Sequence, residues 1–330
     1  MTTARWALSL AIIALAPVFV VSPGALSSAA AQDKTVIRVG SPFKAGHILV
    51  DAAEKFKELV AQGSGGRIEV QIDAGTKSEE EINKLNRAGQ LEMQSNGTMF
   101  LQEYAPPYYF FTGPYVMKDF EHYMRVWDGR LGQAARAQLE KNDLKYLATI
   151  YRGLRQMTTR KPVYTPADVY GMKLRLPNVP TWMAVWKAMD AAPIAVPLTD
   201  LYNALKEGRA EASEGDLPQI ASFKLNEVQT HLIITNHLVQ TGGMLIHKPF
   251  FDKLSKADQD LIVKAAKEAE AWANNKIKTG ESAHLVDLQR KGMQVVIPDA
   301  DSFRAKAKAA VDALFQKEWS VTTWQEVLAQ

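Results

Sequence analysis

Past residue 33 the chain alternates between two periodicities. Residues 36–40 (VIRVG) and 67–73 (RIEVQID) alternate apolar and polar positions as half-buried strands do. Between them Ile48, Leu49, Ala52, Ala53, Phe56, Leu59 and Val60 recur at 3.6-residue spacing, which predicts an amphipathic helix closed by the GSGG run at 63–66. Ser78 with Glu81 three residues on signals the cap of a second helix, which Gly89 ends, and residues 91–94 (LEMQ) read as a short strand. This βαβαβ opening predicts a mostly parallel sheet covered by helices. Ligands of such sheets sit at the carboxyl ends of strands, here the loop carrying Phe43 and His47 and the segment around Asn96.

The same reading continues downstream. Residues 120–141 are predicted helical, and residues 144–150 form a strand that leads to Tyr151 and Arg155. Residues 172–176 (MKLRL) read as a strand that Pro177 ends, with Asn178 capping a helix over 179–189. A strand at 192–196, a helix at 199–207 and a strand-to-helix turn carrying Glu214 and Asp216 follow. Residues 232–240 form a strand with His237, and residues 244–246 continue extended. Ser255 and Asp258 open the longest helix, which runs to about residue 291 with Gly292 beyond its end. Its length of roughly 54 Å, at about 1.5 Å per residue, exceeds the width of one lobe. It is therefore expected to cross two lobes rather than bend near Gly280. A strand at 294–298 and two amphipathic helices close the chain. The aromatic stretch 104–115 is expected to pack over the core; a wall for an apolar ligand is the sharper alternative.

The amino terminus has a different character. Arg5 precedes an apolar run at 6–21 that Pro17 interrupts, and Ala29, Ala30 and Ala31 form a small-residue cleavage pattern. The run is short against the roughly 20 residues of a membrane span, so residues 1–31 are read as a cleaved export signal and the mature chain as periplasmic. About 300 residues remain, more than one core comfortably organises, and two lobes are expected. The chain has 0 cysteines, which excludes disulfides, catalytic thiols, cysteine metal sites and a lipoprotein anchor. The net charge of +3 is spread among interspersed charges, so neither nucleic acid nor an anionic membrane is expected as a partner. No G-x-S-x-G, G-x-G-x-x-G or H-E-x-x-H pattern occurs, and the histidines show no metal-ligand spacing. The expectation is a protein that is not an enzyme and carries no cofactor or metal, with an exported hydrolase as the rival reading.

Two arginines carry the candidate chemistry. Arg155 and Arg175 stand twenty residues apart, each in an extended run. At the end of a strand, a planar guanidinium matches the two oxygens of a carboxylate and stays charged when dehydrated. An ordinary surface arginine is the plain alternative for either.

Several segments together carry a family resemblance. They are Arg38–Phe43 (RVGSPF) with Gly46 and His47, FKELVAQGSGGRI at 56–68, GLRQMTT at 153–159, GMKLRLPN at 171–178, residues 197–214 and EVQTHLIITNH at 227–237. In this order and spacing the chain resembles the extracytoplasmic solute-binding proteins of tripartite ATP-independent periplasmic (TRAP) transporters, the DctP family first described for C4-dicarboxylate uptake. The resemblance implies an α/β, two-lobed periplasmic-binding-protein fold of type II-like form with a long helix spanning both lobes. The lobes would be discontinuous: 33–152 with 241–280, and 153–240 with 281–330. It implies Arg175 as the carboxylate clamp, Arg155 as its assistant, Asn178 as a pocket residue, and Glu214 and His237 as supports behind the main arginine. Relatives that bind sugar acids carry Asn-Pro after the matching glutamate, whereas this chain has Gly215 and Asp216. Asp216 then either recognises a hydroxyl or amine or stays outside the pocket; a metal held by Glu214 and Asp216 is a minor alternative. With Trp182, Trp186 and the aromatic stretch nearby in sequence, an aryl or hydrophobic carboxylate or a C4-dicarboxylate is the expected ligand, and a sugar acid the alternative. Membrane permease subunits of a TRAP transporter are the implied partners of a monomeric binding protein.

Overall fold

The computed structural model describes residues 1–4 and 34–330; the apolar run 6–21 and the alanines 29–31 lie outside the described residues. Strand β1 (Thr35–Ser41) runs parallel to β2 (Ile68–Ala74) and to β3 (Met93–Asn96), and β5 (Lys173–Leu176) runs parallel to β6 (Ala192–Ala195) and β7 (Ala212–Asp216). Between these two sets lie β4 (Leu144–Thr159) and β8 (His231–His247), of 16 and 17 residues, antiparallel to each other. The carboxyl end of β8 pairs with β3, the carboxyl half of β4 pairs with β7, and β9 (Gln294–Val296) joins the start of β8. The order is β2-β1-β3-β8-β4-β7-β5-β6. The sheet is thus mixed, where the opening pattern predicted a mostly parallel one.

The two long strands are the main departure from the sequence reading, which broke each of them in the middle. Arg152-Gly153 and Gly242-Gly243 look like loop punctuation, yet the pairing continues through register shifts at Tyr146/Ala148, Tyr151/Gly153 and Arg155/Met157. The β8 glycines serve close approach. A Cβ at Gly242 would come within 2.6 Å of the Asn96 carbonyl oxygen, and one at Gly243 within 2.7 Å of the Tyr146 ring.

Helices α1 (Ile48–Ser64), α2 (Glu79–Arg87) and α3 (Met99–Tyr104) serve the first parallel set. The region 120–141 divides at Gly129 into α4 (Phe120–Asp128) and α5 (Arg130–Glu140). In the second set α6 (Pro180–Ala188) starts with Val179, not Asn178, in the capping position; α7 (Leu201–Lys206) and α8 (Leu217–Ser222) follow. After α9 (Lys248–Asp252) comes α10 (Lys256–Arg290), then α11 (Ala300–Lys317) and α12 (Trp324–Leu328). Among the described residues no helix is long and apolar enough to cross a membrane.

Helix α10 begins where the capping signal placed it, with the Ser255 hydroxyl accepting the Asp258 N–H at 3.1 Å. It packs against α1 of the first set, α8 of the second and β4 between them. Asn274 ties it to the irregular centre of β4. Its Nδ2 donates to the Thr149 carbonyl (3.0 Å), and its Oδ1 accepts the Tyr151 N–H (2.7 Å). The exposed ion pairs Lys276–Asp51 and Lys278–Glu121 add little beside these. Asn274→Leu leaves a backbone donor and acceptor unpaired in β4, so thermal unfolding is expected to show a loss of about 2–4 kcal/mol. An unchanged melting temperature would contradict that role.

Candidate functional site

A cavity forms where the carboxyl ends of the two parallel sets face each other. Phe43 follows β1, and Thr98 and Met99 follow β3; from the other set come Pro177 and Val179 after β5, Leu198 after β6 and Gln219 after β7. Arg152 and Arg155 project from the middle of β4, Gln240 from β8 and Arg175 from β5. Glu79, Tyr109 and Trp182 complete the wall. The space left is about 20 Å³, room for about one water molecule. Residues three apart on a regular strand face opposite sides. The extra residue at the Tyr151/Gly153 shift, with Gly153 at φ 99°, lets Arg152 and Arg155 line one cavity.

Each of the first two arginines has its own carboxylate. Arg155 grips Glu214 with both prongs, Nε to Oε2 and Nη2 to Oε1 (2.6 Å), and its Nη1 donates to Gln240 Oε1 at 3.0 Å. Its guanidinium lies 4.9 Å over the Trp182 ring. His237 Nε2, 3.1 Å from Glu214 Oε2, donates to that carboxylate, while Thr235 Oγ1 lies 2.8 Å from the ring's Nδ1. Burial pushes the Glu214 carboxyl up, but the Arg155 charge and the His237 hydrogen bond outweigh it and bring it down to about 2. Burial likewise opposes the Arg155 charge, and Glu214 overcomes it, leaving Arg155 above its usual range.

Arg152 Nη2 lies 2.6 Å from Asp216 Oδ2 and donates to Gln219 Oε1 at 3.2 Å; the guanidinium sits 4.4 Å over Phe43, which stacks on His47. By distance Arg152–Asp216 is a tight ion pair, yet Arg152 Nε and Asp216 Oδ2 have no aligned hydrogen bond among the described residues. The pair is held by charge attraction more than by an aligned hydrogen bond. Asp216 also caps α8, its Oδ1 accepting the Gln219 N–H at 2.8 Å. His47 Nδ1 accepts the Leu49 N–H at 3.2 Å, so the neutral ring carries its proton on Nε2, 3.6 Å from Asp216 Oδ1. Burial pushes His47 down to about 4 despite Asp216, and Asp216, though buried, is held well below the carboxylate range by Arg152 and His47.

Arg175 is different. It is buried, its Nε donates to the Val196 carbonyl at 2.9 Å, and its Nη2 has no hydrogen-bond partner among the described residues. Burial pushes it down to about 10, with Glu214 pulling the other way.

Of the residues singled out from sequence, Arg175, Arg155 and Phe43 line the cavity. The other placements differ from what the sequence suggested. Glu214 and His237 stand behind Arg155 rather than the main arginine, because the β4/β7 register sets Glu214 beside Met157 and next to Arg155. Asp216 is spent on Arg152 and the α8 cap instead of facing a ligand, and His47 stands behind it. Asn96 turns away, its amide donating to Asn83 Oδ1 (3.0 Å) and Gln94 Oε1 (2.9 Å). Asn178 is exposed, and its neighbours Pro177 and Val179 form the wall. Gly215 is outside the wall, and a Cβ there would meet Gln219 Nε2 at 2.6 Å. The aromatic stretch is mostly core: Phe110 stacks on Phe111, and Tyr109 is the member that reaches the cavity. Arg152, Glu79, Gln219 and Gln240 were not foreseen; a strand read through Gly153 would have brought Arg152 forward. Among the described residues no cluster of three His, Asp or Glu could hold a metal ion.

The depressed His47 makes stability depend on pH. Between about 6.5 and 4 the unfolded chain binds a proton that the folded ring refuses, so stability falls as pH drops through that window, by up to about 3 kcal/mol. His237, also lowered by burial, acts in the same direction. In melting curves across pH 4–7, His47→Asn, which keeps a capping acceptor, is expected to flatten the dependence without abolishing it. An unaltered slope would show that His47 is not the group responsible.

The family described as bacterial extracellular solute-binding protein, family 7 (DctP), matches residues 39–318. A solute-binding protein of Roseobacter denitrificans is 32% identical over 313 residues, 92% of this chain and 94% of that one. The 2,3-diketo-L-gulonate-binding periplasmic protein of Escherichia coli is 30% identical over 266 residues, 80% of this chain and 79% of that one. Among solved structures, a TRAP periplasmic solute-binding protein from Roseobacter denitrificans with bound L-galactonate superposes with a TM-score of 0.84 at 28% identity. It covers 90% of this chain and 99% of that one. A TRAP periplasmic solute-binding protein from Polaromonas sp. JS666 bound to D-erythronate gives 0.84 at 25%, covering 90% and 98%. The chain therefore belongs to the bacterial extracellular solute-binding proteins of family 7, the two-lobed, non-enzymatic binding components of TRAP transporters.

Proposed function

We propose that this protein captures a small hydroxylated carboxylate between its lobes in the periplasm and delivers it to a TRAP membrane permease. The observation that carries this reading is Arg175: a buried guanidinium whose Nη2 has no partner among the described residues, in a cavity where the two neighbouring arginines already have carboxylates of their own. A ligand carboxylate is the missing partner. Arg155, with Glu214 and Gln240 occupying most of its N–H groups, assists through the remaining Nη1 hydrogen. The lobes, residues 33–152 with 241–280 and 153–240 with 281–330, close by flexing where β4 and β8 cross. Closure removes water and strengthens the ion pair as the local dielectric falls.

A hydroxylated acid is favoured over an aryl acid or a C4-dicarboxylate. The aromatic stretch is largely consumed by the core, and the polar wall groups Glu79, Thr98, Gln219 and Gln240 offer both donors and acceptors. Relatives with bound L-galactonate and D-erythronate, and one named for 2,3-diketo-L-gulonate, support the same class; a relative from Rhodobacter capsulatus, 26% identical over 248 residues, is named for C4-dicarboxylates. In titration calorimetry against hydroxy acids, dicarboxylates and aryl acids, Arg175→Ala is expected to weaken the best ligand by about 100-fold or more. Arg175→Lys should also lose affinity despite its charge, since it lacks the fork. Wild-type affinity in the alanine variant would refute carboxylate capture by this residue.

A further inference from the structure

Glu79 is the carboxylate of the cavity wall that has no assigned partner. It is the first residue of α2, directly after the capping Ser78, and such a position ordinarily places an acid in solvent at the helix amino terminus. Here the side chain is half-buried and turned into the cavity, where it feels the charges of Arg152, Arg175 and Arg155 but makes no hydrogen bond or close ion pair among the described residues. The space it occupies exists because residue 97 is glycine. A Cβ at Gly97 would overlap Glu79 Oε1 and would stand 3.3 Å from Arg152 Nη1. The carboxylate oxygen and that guanidinium nitrogen therefore flank the same point on the wall. Arg152 spends its Nη2 on Asp216 and Gln219, which leaves Nη1 toward this point.

An acceptor and a donor side by side suit a hydroxyl, which donates to one and accepts from the other. An ammonium could only donate, and it would face three guanidinia. A hydrocarbon edge would leave Glu79 dry and unpaired. A second ligand carboxylate is the worst fit, because it sets an anion beside an anion in a small cavity. The charge balance decides in the same sense: with Asp216 spent on Arg152 and Glu214 on Arg155, Arg175 is left for one ligand carboxylate, and a second would meet Glu79 with no further guanidinium to neutralise it. Burial raises the Glu79 carboxyl against the pull of Arg152, as expected for a carboxylate short of hydrogen bonds.

We propose that Glu79, admitted by Gly97 and set beside Arg152, is a specificity-determining residue that reads a ligand hydroxyl and rejects a second carboxylate. The site thereby selects hydroxy-monocarboxylates over dicarboxylates of equal length. This rests on carboxylate capture by Arg175. It adds a repulsive element to the attractive one, the combination from which specificity commonly arises.

The test is titration calorimetry with pairs matched in carbon number: D-erythronate against succinate, and L-galactonate against adipate. The wild-type protein is expected to prefer the hydroxy acid of the better-bound pair by about 100-fold or more. Glu79→Gln, which keeps the shape and removes the charge, should shrink that ratio by about tenfold or more, with dicarboxylate binding gained as hydroxy-acid binding weakens. Gly97→Ala provides the second variant, since its methyl pushes the Glu79 carboxylate aside without touching residue 79, and it should shrink the ratio as well. An unchanged ratio in Glu79→Gln overturns the proposal, as does a wild-type protein that binds succinate or adipate as tightly as its hydroxy partner. In those cases Arg175-dependent binding still stands. A wild-type protein that binds none of the four acids sinks both readings.

Discussion

The structure depends on keeping three guanidinia charged and dry at the point where two α/β units meet. Burying one ion costs several kcal/mol even after relaxation, and three like charges in one cavity compound the cost. The solution is unequal. Glu214 is committed to Arg155 and braced by His237, and Asp216 is committed to Arg152 and braced by the α8 amino terminus and His47. Arg175 receives a backbone carbonyl but, among the described residues, no carboxylate of its own. That asymmetry turns a polar core into a binding site.

The backbone is shaped to the same end. β4 and β8 run the length of the sheet, and a regular strand would send Arg152 and Arg155 to opposite faces. The extra residue near Gly153 brings them to one face, at the cost of unpaired backbone groups. Asn274 of α10 satisfies two groups at that bulge, and Gly242 and Gly243 let β8 pass close to Asn96 and Tyr146.

Much of this was legible in the sequence, and the remainder was hidden for physical reasons. Strands and helices with one buried face announced themselves by period, as did the long helix by its Ser255 cap. Arg175 stood out because it is a charged residue near the end of a short strand that alternates apolar and basic positions. β4 and β8 were broken in two, because a strand buried on both faces loses its alternation and a bulge glycine looks like a turn. Which carboxylate serves which arginine depends on register across β4 and β7, which periodicity does not encode: Glu214 and Asp216 were visible, their partners were not. Glu79 was the least legible. On a helix face it reads as a solvated first-turn acid, and only the empty space at Gly97, fifty-odd residues before Arg152, gives it a cavity to enter.

The central claim is that Arg175 is left free for a ligand while Arg152 and Arg155 are internally neutralised. A crystal structure of the protein with its bound acid tests this directly. The account predicts ligand carboxylate oxygens within about 3 Å of the Arg175 guanidinium nitrogens, with Glu214 still on Arg155 and Asp216 still on Arg152. A carboxylate seated on Arg152 in place of Asp216, with Arg175 untouched, would contradict it.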